Sequence, residues 1–216
     1  MDVAIIIPAQ ASNKYNESGD LASFGDTTLL EWKISQCKEI VDQRNIYISS
    51  SDLEVKKIAF KEEVNFIQRN NETSFSQIIL HTLQQVPNSN ILWTNPTAPF
   101  ISKDDYSNML KTFFDSSHIS SLISVSTKKD YVYYQNKRLN FDEQFISRDK
   151  IPPVKVVTNG CYLIEKNLAI ATKSLYSNNP FLYELDYLSA LEIKDLHTYQ
   201  ISQELISAYF KRDLHV

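Results

Sequence analysis

Two carboxylates towards the end of the sequence could hold a metal ion. Glu184 and Asp186 are two positions apart, so on extended backbone both side chains would lie on one face. Paired carboxylate oxygens are ligands that suit Mg²⁺. The same residues also fit a simpler interpretation, in which Asp186 caps the helical segment that follows and Glu184 is an exposed surface residue. The residue types alone leave both interpretations open.

A long polar segment follows the first apolar run of the chain, from Gln10 to Asp26. Its length of about 17 residues exceeds that of most connections in compact domains, and such long loops are often functional. Lys14 is its one basic residue, and a lysine at the end of a strand could neutralise a phosphate. The alternative is an ordinary solvated loop that carries a solvated lysine.

Two further segments have the residue types of turns that face a ligand. One is Thr94 to Pro99, which contains Asn95 and Thr97, and the other is Asn159-Gly160. In an open α/β sheet, ligands bind beyond the carboxyl ends of the strands. These segments and the first loop would therefore meet at one edge, provided that the chain forms such a sheet.

The elements that must position these residues follow an alternating pattern. Short apolar runs rich in β-branched residues predict strands over 3–7, 45–49, 64–67, 91–93 and 122–125. Segments of helical spacing lie between them, and Asp52, Ser74 and Ser102 are predicted helix N-caps. Strands that alternate with helices of this length predict an α/β fold with a doubly wound, mainly parallel sheet.

The pattern changes near Lys128. Tyr131 to Phe141 has the character of a β-hairpin, so we interpret 127–158 as an extension within a single domain over 1–216. The extension would serve as a dimer arm or a substrate cap. Strand character resumes over 154–157 and 161–164, and helical spacing returns from Leu168, with a last helix predicted over 203–214.

Composition excludes several classes of protein. A chain of 216 residues that is 43% hydrophobic, with a net charge of −4, is expected to fold rather than to be disordered. Its 22 basic residues face 26 acidic ones, which argues against a nucleic-acid partner bound by bulk charge. No segment resembles a signal peptide or a membrane span, and two cysteines fit a reduced cytoplasm, so we expect a cytoplasmic protein with no membrane partner. Only 3 glycines are present, so a phosphate site must form without a Gly-rich loop.

Several motifs occur in the order that one enzyme family shows. They are Ile6-Ile7-Pro8-Ala9, Leu29-Leu30-Glu31-Trp32, Ile48-Ser49-Ser50-Ser51-Asp52, Leu92 to Pro99, and Asn159-Gly160-Cys161-Tyr162-Leu163. The chain resembles the acylneuraminate cytidylyltransferases, which are CMP-sialic acid synthetases related to CMP-Kdo synthetases, over nearly its whole length. Glu184-Leu185-Asp186 lies where that family carries Asp-Ile-Asp before its last helices.

The resemblance implies a nucleotide-diphospho-sugar transferase-like fold, a homodimer, and a reaction. CTP and a nonulosonic sugar acid would give a CMP-sugar and pyrophosphate, with Mg²⁺ neutralising the charge that develops on the phosphates. The nucleotide-binding residues implied are Pro8, Ala9, Gln10, Ser12, Asn13, Lys14 and Asp20. The substrate-binding residues implied are Asn95, Thr97, Arg148 and Asn159. Lys14, Glu184 and Asp186 would be catalytic, and the last two would hold the Mg²⁺ ion.

The first loop departs from the family pattern. The family has Pro-Ala-Arg-Gly-Gly-Ser-Lys and later Lys-Asn, whereas this chain has Pro8 to Lys14 without the arginine or either glycine, and Gly19-Asp20 at Lys-Asn. The absence of each charge-assisted hydrogen bond to a phosphate would cost ~1.5–3 kcal/mol. Two alternatives therefore stay open: a catalytically silent member that acts as a binding or partner subunit, and a nucleotidyltransferase for another nucleotide or another acid.

Overall fold

The computed structural model describes residues 2–70, 74–142 and 146–213, with side chains described up to residue 208. The strands are β1 (Val3–Pro8), β2 (Ser23–Phe24), β3 (Thr27–Thr28), β4 (Ile46–Ser50), β5 (Asn65–Gln68), β6 (Asn90–Trp93), β7 (Ser121–Lys128), β8 (Tyr133–Tyr134), β9 (Lys137–Arg138), β10 (Val154–Glu165) and β11 (Phe181–Glu184). The helices are α1 (Leu29–Lys38), α2 (Leu53–Lys61), α3 (Phe75–Gln84), α4 (Lys103–Asp115), α5 (Lys166–Thr172) and α6 (Leu196–Asp213). None of the described helices combines the length and apolar character that crossing a membrane requires.

Seven strands form one sheet in the order β11-β7-β10-β6-β1-β4-β5. β1 is an inner strand and pairs in parallel with β4 and β6, while β10 runs antiparallel to β6 and β7. The prediction of a doubly wound, mainly parallel sheet is confirmed. Because β1 is covered on both faces, Ile5 and Ile7 enter one core cluster and Ile6 enters the other.

The predicted N-caps start the helices of the sheet. The Asp52 carboxylate accepts the N–H groups of Glu54 and Val55, and Ser74 and Ser102 each form a reciprocal capping box. Each cap satisfies backbone donors that would otherwise lack a partner at the first turn. These helix starts lie just beyond the carboxyl ends of strands, and this places the intervening loops at one edge of the sheet.

Two elements differ from the sequence-based expectation. β10 is a single strand of 12 residues, with a register shift between Val157 and Tyr162 where two separate strands were predicted. β11 lies within the region that was predicted to be helical from Leu168 on, and it pairs in parallel with β7 at the edge of the sheet. Both errors arise because strand pairing is a long-range contact that the local spacing does not reveal.

The last helix begins earlier than predicted, at Leu196 instead of residue 203, and the end predicted at Leu214 lies outside the described residues. Tyr199 and Ile206 of this helix form a small core cluster with Tyr15, Phe24 and Leu29. The Tyr199 hydroxyl also donates to the carbonyl of Ser23 at 2.6 Å. α6 therefore packs directly against the long loop that follows β1.

The predicted hairpin is present in the extension. β8 and β9 pair antiparallel across Gln135 and Asn136, both of which have positive φ, as a two-residue hairpin turn requires. The ring of Tyr133 packs against Phe141 with 5.3 Å between centroids. The hairpin is thus held by its own small aromatic contact.

A fully buried lysine links α1 to the loop after β6 and to α4. Lys33 Nζ donates to the Ala98 carbonyl at 2.7 Å and to the Tyr106 hydroxyl at 2.9 Å. Tyr106 in turn bonds Thr94 Oγ1 at 2.7 Å, and Thr94 donates to the Gly160 carbonyl at 2.7 Å. Burial lowers the pKa of Lys33 to about 8, and burial raises the pKa of the neighbouring Cys37 thiol to about 12.

We expect Lys33 to make stability depend on pH. Its folded-state pKa of about 8 lies below the ordinary lysine value of 10.5, so the unfolded chain binds more protons between these values and stability rises with pH. Between about pH 8 and about pH 9.5 we expect this rise to be about 1–2 kcal/mol. Urea unfolding of the wild type and of Lys33→Met at both pH values measures this rise. The buried thiols are present in both proteins, so their contribution cancels when the two pH dependences are compared. Parallel pH curves for the two proteins would contradict this expectation.

Candidate functional site

Three adjoining hollows form one cleft beyond the carboxyl ends of β1, β4, β5 and β6. Their volumes are about 520, 280 and 270 Å³. The first two share Gln10 and Arg69, and the last two share Asn95 and Thr97. We call the first two hollows the loop end of the cleft, and the third hollow the amide end.

The first loop is closed by the carboxylate of Asp20. Asp20 Oδ2 accepts the N–H of Gln10 at 2.8 Å, and Oδ1 accepts the hydroxyl of Tyr15 at 2.6 Å. Burial raises the pKa of Asp20, against the opposing effect of these hydrogen bonds and of the Arg69 charge. Asp20 was predicted to bind the nucleotide; it lines the second hollow, and its carboxylate also holds the loop closed.

Gly19 allows the loop to fold back on itself. Its φ is +54°, and a Cβ at this position would lie 2.3 Å from the Gln10 carbonyl oxygen and 2.5 Å from the Ser12 nitrogen. No side chain fits in that space. Glycine is therefore required at position 19, because the backbone of the loop approaches it too closely for a side chain.

The folded loop leaves two backbone donors without a partner among the described residues. The N–H groups of Ala11 and Ser12 form no hydrogen bond within these ranges, and both residues line the loop end. Backbone N–H groups arranged in this way bind anions. Of the other predicted residues, Pro8, Gln10 and Asn13 line this end, whereas Ala9 is buried and Lys14 is exposed and does not line the cleft.

The cation of the loop end comes from a different strand. Arg69 follows β5, is 8% exposed, and donates from Nη2 to the Ala9 carbonyl at 2.7 Å. It lines both hollows of the loop end. Arg69 was not predicted from the sequence, although its position directly after the third predicted strand satisfied the same carboxyl-end rule that selected the loops.

Three predicted substrate residues meet at the amide end. Asn95 Nδ2 donates to the Asn159 carbonyl at 2.8 Å, and Tyr162 donates to the Asn159 side-chain oxygen at 2.7 Å. Thr97 lines the same hollow, and the rings of Phe75 and Trp93 form its apolar wall. The amide end thus combines fixed amides with aromatic faces.

A carboxylate that was not predicted from the sequence lies beside these amides. Glu192 is 8% exposed, and its Oε1 accepts Asn159 Nδ2 at 2.6 Å while its Oε2 lies 3.2 Å from Lys194 Nζ. The Ile193 N–H donates to the Thr97 carbonyl at 2.8 Å, which brings this segment to the cleft. A signal was present in the sequence, because Glu192-Ile193 stands shortly before the last helix and matches the first two residues of the family's Asp-Ile-Asp as an acid followed by isoleucine. That motif had been assigned to Glu184-Leu185-Asp186.

The structure does not bring Glu184 and Asp186 to the cleft. They lie at the end of edge strand β11, four strand spacings, or roughly 19 Å, from β1. Asp186 Oδ1 accepts the N–H groups of Leu188 and Ser189, and the Ser189 N–H is the main cause of its lowered pKa. Asp186 therefore closes a turn over 187–190 and not the helix that the capping interpretation expected, and Glu184 is exposed.

Arg148 also lies away from the cleft. It is in the extension, where Nη1 is 3.6 Å from Asp130 Oδ1, and its side chain is largely exposed. An exposed ion pair of this kind contributes little to stability. The prediction that Arg148 binds the substrate has no support from its position.

The carboxylates around the cleft do not form a ready Mg²⁺ site. Throughout 2–70, 74–142 and 146–213, no three His, Cys, Asp or Glu side chains are arranged to hold a metal ion. Asp20 is bonded to Gln10 and Tyr15, Asp52 caps α2, and Glu192 is bonded to Asn159 and Lys194. Since Mg²⁺ at a nucleotide can be held by one or two carboxylates together with phosphate oxygens, the Mg²⁺ ion that the resemblance implies stays a prediction.

Comparisons with known proteins identify the fold. No family model matches the chain, and no curated protein matches it in sequence. A CMP:2-keto-3-deoxy-manno-octonic acid synthetase complexed with CTP is 11% identical, with a TM-score of 0.76 over 97% of this chain and 100% of that chain. A 4-diphosphocytidyl-2C-methyl-D-erythritol synthase from Anaerococcus prevotii is 17% identical, with a TM-score of 0.67 over 97% and 98% of the two chains.

A cytidylyltransferase from Leptospira borgpetersenii is 15% identical, with a TM-score of 0.65 over 96% of this chain and 87% of that chain. At these identities the likeness shows a shared fold. The chain therefore has the nucleotide-diphospho-sugar transferase-like α/β fold of cytidylyltransferases, as predicted.

We expect Gly19→Ala to disrupt the first loop. The new Cβ would contact backbone atoms that cannot move away, in addition to the strain of positive φ, so we expect a loss of about 2–4 kcal/mol in unfolding free energy. Gly25→Ala is the matched control, because Gly25 has a φ of 60° and is exposed, so it should lose only about 1 kcal/mol. Equal losses in urea unfolding would contradict the close approach.

Proposed function

We propose that this protein is a nucleotidyltransferase that transfers a cytidylyl group from CTP to a hydroxyl of a sugar-type acceptor. The observation that carries the proposal is the cleft itself, in which an end built for anions continues into an end built from amides and aromatic rings. The same fold occurs in a synthetase complexed with CTP. Two connected ends of different chemistry suit a reaction that joins a nucleotide to a second molecule.

In the proposed reaction the oxygen of the acceptor hydroxyl attacks the α-phosphorus and its proton passes to solvent, while the bond from the α-phosphorus to the bridging oxygen breaks and pyrophosphate leaves with that electron pair. Such transfers depend on positioning and on charge stabilisation, not on a protein nucleophile. Arg69 and the N–H groups of Ala11 and Ser12 would bind the phosphates, and Gln10 and Ser12 would add polar contacts at the loop end. The acceptor would lie at the amide end.

The acceptor we propose is a nonulosonic sugar acid. The order of sequence motifs supports this class, and the amide end offers suitable hydrogen-bond donors. Asn95 and Asn159 each use one side-chain N–H within the protein, and each amide nitrogen carries a second. Those donors, together with Thr97, could bind the carboxylate or hydroxyl groups of such an acid.

A homodimer and a cytoplasmic location are also proposals. The exposed rings of Tyr133 and Tyr134 on the hairpin support an interface in the extension at 127–158. Light scattering of the purified protein measures its mass in solution. A monomer at micromolar concentration would contradict the dimer without affecting the proposed activity.

The test of the activity is pyrophosphate release. We expect release with CTP and a nonulosonic acid, and none when CTP is replaced by ATP or GTP. Because Glu192 orients the Asn159 amide, we expect Glu192→Gln to lower kcat/KM about a hundredfold. Glu184→Gln is the matched control and should change kcat/KM less than about twofold. A large loss of kcat/KM in Glu184→Gln, with little change in Glu192→Gln, would contradict this expectation and would indicate that Glu184 of β11 supports the activity.

A silent binding subunit is the second candidate function. It is favoured by the position of Lys14 outside the cleft and by the engagement of the Glu192 carboxylate with Asn159 and Lys194. Such a protein would bind CTP in calorimetry but release no pyrophosphate with any acid of the panel. The two measurements together separate the candidates.

A further inference from the structure

The amide end of the cleft includes a buried donor that the protein leaves without a partner. Trp93 is fully buried, and its indole Nε1 bonds no acceptor among the residues that the structure describes. The indole N–H of Trp32, by contrast, donates to the Pro99 carbonyl at 2.8 Å. A buried N–H group without an acceptor lowers stability, and folded proteins contain few of them. The unpaired N–H group of Trp93 is therefore a candidate contact for a ligand.

The Trp93 ring lines the hollow in which the acceptor is proposed to lie. Trp93 ends β6 and stands opposite Tyr162 of β10, so the two side chains lie on the same face of the sheet. Both residues line the third hollow, and Trp93 lines neither hollow of the loop end. The unpaired donor is therefore close to the place proposed for the acceptor and outside the place proposed for the phosphates.

One side chain must move before a ligand reaches the indole nitrogen, because the Nε1 atom itself has almost no exposed surface. The Phe75 ring packs edge to face against Trp93 with 5.9 Å between centroids, lines the same hollow and is 57% exposed. Such a ring contact gives an indole N–H at most a weak partner. The Tyr162 hydroxyl, in contrast, is bonded to Asn159. Phe75 is therefore the side chain that can turn towards solvent and uncover the donor.

We infer that the indole N–H of Trp93 donates to an oxygen atom of the bound sugar acid and thereby selects the acceptor. Phe75 covers the donor in the free protein and turns aside when the acid binds. An indole nitrogen can only donate, so its partner must be an acceptor oxygen, such as those of carboxylate and carbonyl groups. A ligand without an oxygen at this position leaves the buried donor unpaired, which is a strong source of discrimination. The inference rests on the proposed function and goes beyond it by naming a specificity-determining residue.

Nuclear magnetic resonance of the isotope-labelled wild type tests the inference without turnover. The chain has two tryptophans, so the spectrum has two indole N–H signals, and that of Trp32 is the internal control. The protein is saturated with α,β-methylene-CTP, which cannot release pyrophosphate, and N-acetylneuraminate or Kdo is then added. We expect the Trp93 signal to move downfield, because a new hydrogen bond deshields the proton, and the Trp32 signal to stay in place. If an acid binds in calorimetry while the Trp93 signal does not move, the inference is overturned and the proposed function stands.

Trp93→Phe removes the donor and keeps an aromatic ring. We expect kcat/KM for the acid to fall about tenfold, because one hydrogen bond to the bound ligand is lost, and the affinity for α,β-methylene-CTP to change less than about twofold. Thermal melts show whether the variant is folded, and if it is not, the wild-type spectrum decides. An unchanged kcat/KM in a folded Trp93→Phe would also overturn the inference.

Phe75→Ala and its matched control Phe60→Ala test the cover. Phe60 is likewise an exposed phenylalanine on a helix, and it lines none of the three hollows. In the free protein we expect the Trp93 indole proton to exchange with solvent faster in Phe75→Ala than in the wild type, and at the wild-type rate in Phe60→Ala. Equal rates in all three proteins would contradict the cover, and the inference with it. If neither the CTP analogue nor an acid binds the wild type, the proposed function itself fails, and the inference fails with it.

Discussion

The amide end of the cleft depends on one buried charge. Lys33 is fully buried, and among the described residues its ammonium group bonds neutral oxygens and no carboxylate. The bonds run from Lys33 through Tyr106 and Thr94 to the Gly160 carbonyl, next to Asn159. This series of bonds joins the loop after β6 to the middle of β10, which is far away in sequence. A group that is costly to bury unpaired thereby fixes where both segments lie.

The loop end follows a comparable constraint with the opposite charge. Asp20 is buried, and its two oxygens are bonded to Gln10 and Tyr15, so the first loop has one way to close. The loop lacks the arginine and glycines that the resemblance led us to expect. Arg69 from a neighbouring strand supplies a cation, and Gly19 supplies the tight backbone contact. Residues elsewhere in the structure therefore replace part of what the first loop lacks relative to the family pattern.

Local pattern was sufficient for much of the fold. The apolar run of β1 predicted a strand buried on both faces, and the caps at Asp52, Ser74 and Ser102 predicted helix starts, because these signals lie within a few residues of each other. Asn95 and Asn159 were also selected correctly as neighbours. Arg69 and Glu192 were missed although each had a local signal, because the contacts that bring them to the cleft, from Arg69 to Ala9 and from Ile193 to Thr97, are long-range. The edge strand β11 was missed for the same reason.

The packing of α6 has a consequence for how the protein is made. This helix follows all of the strands that the described residues form, yet its Tyr199 contacts the Tyr15 ring of the first loop and the carbonyl of Ser23. The segment just before it brings Glu192 to the amide end. A nascent chain on the ribosome would therefore expose all of these strands before α6 could pack on the first loop. The packing of the first loop would be completed late in synthesis, after the residues of the sheet had already been made.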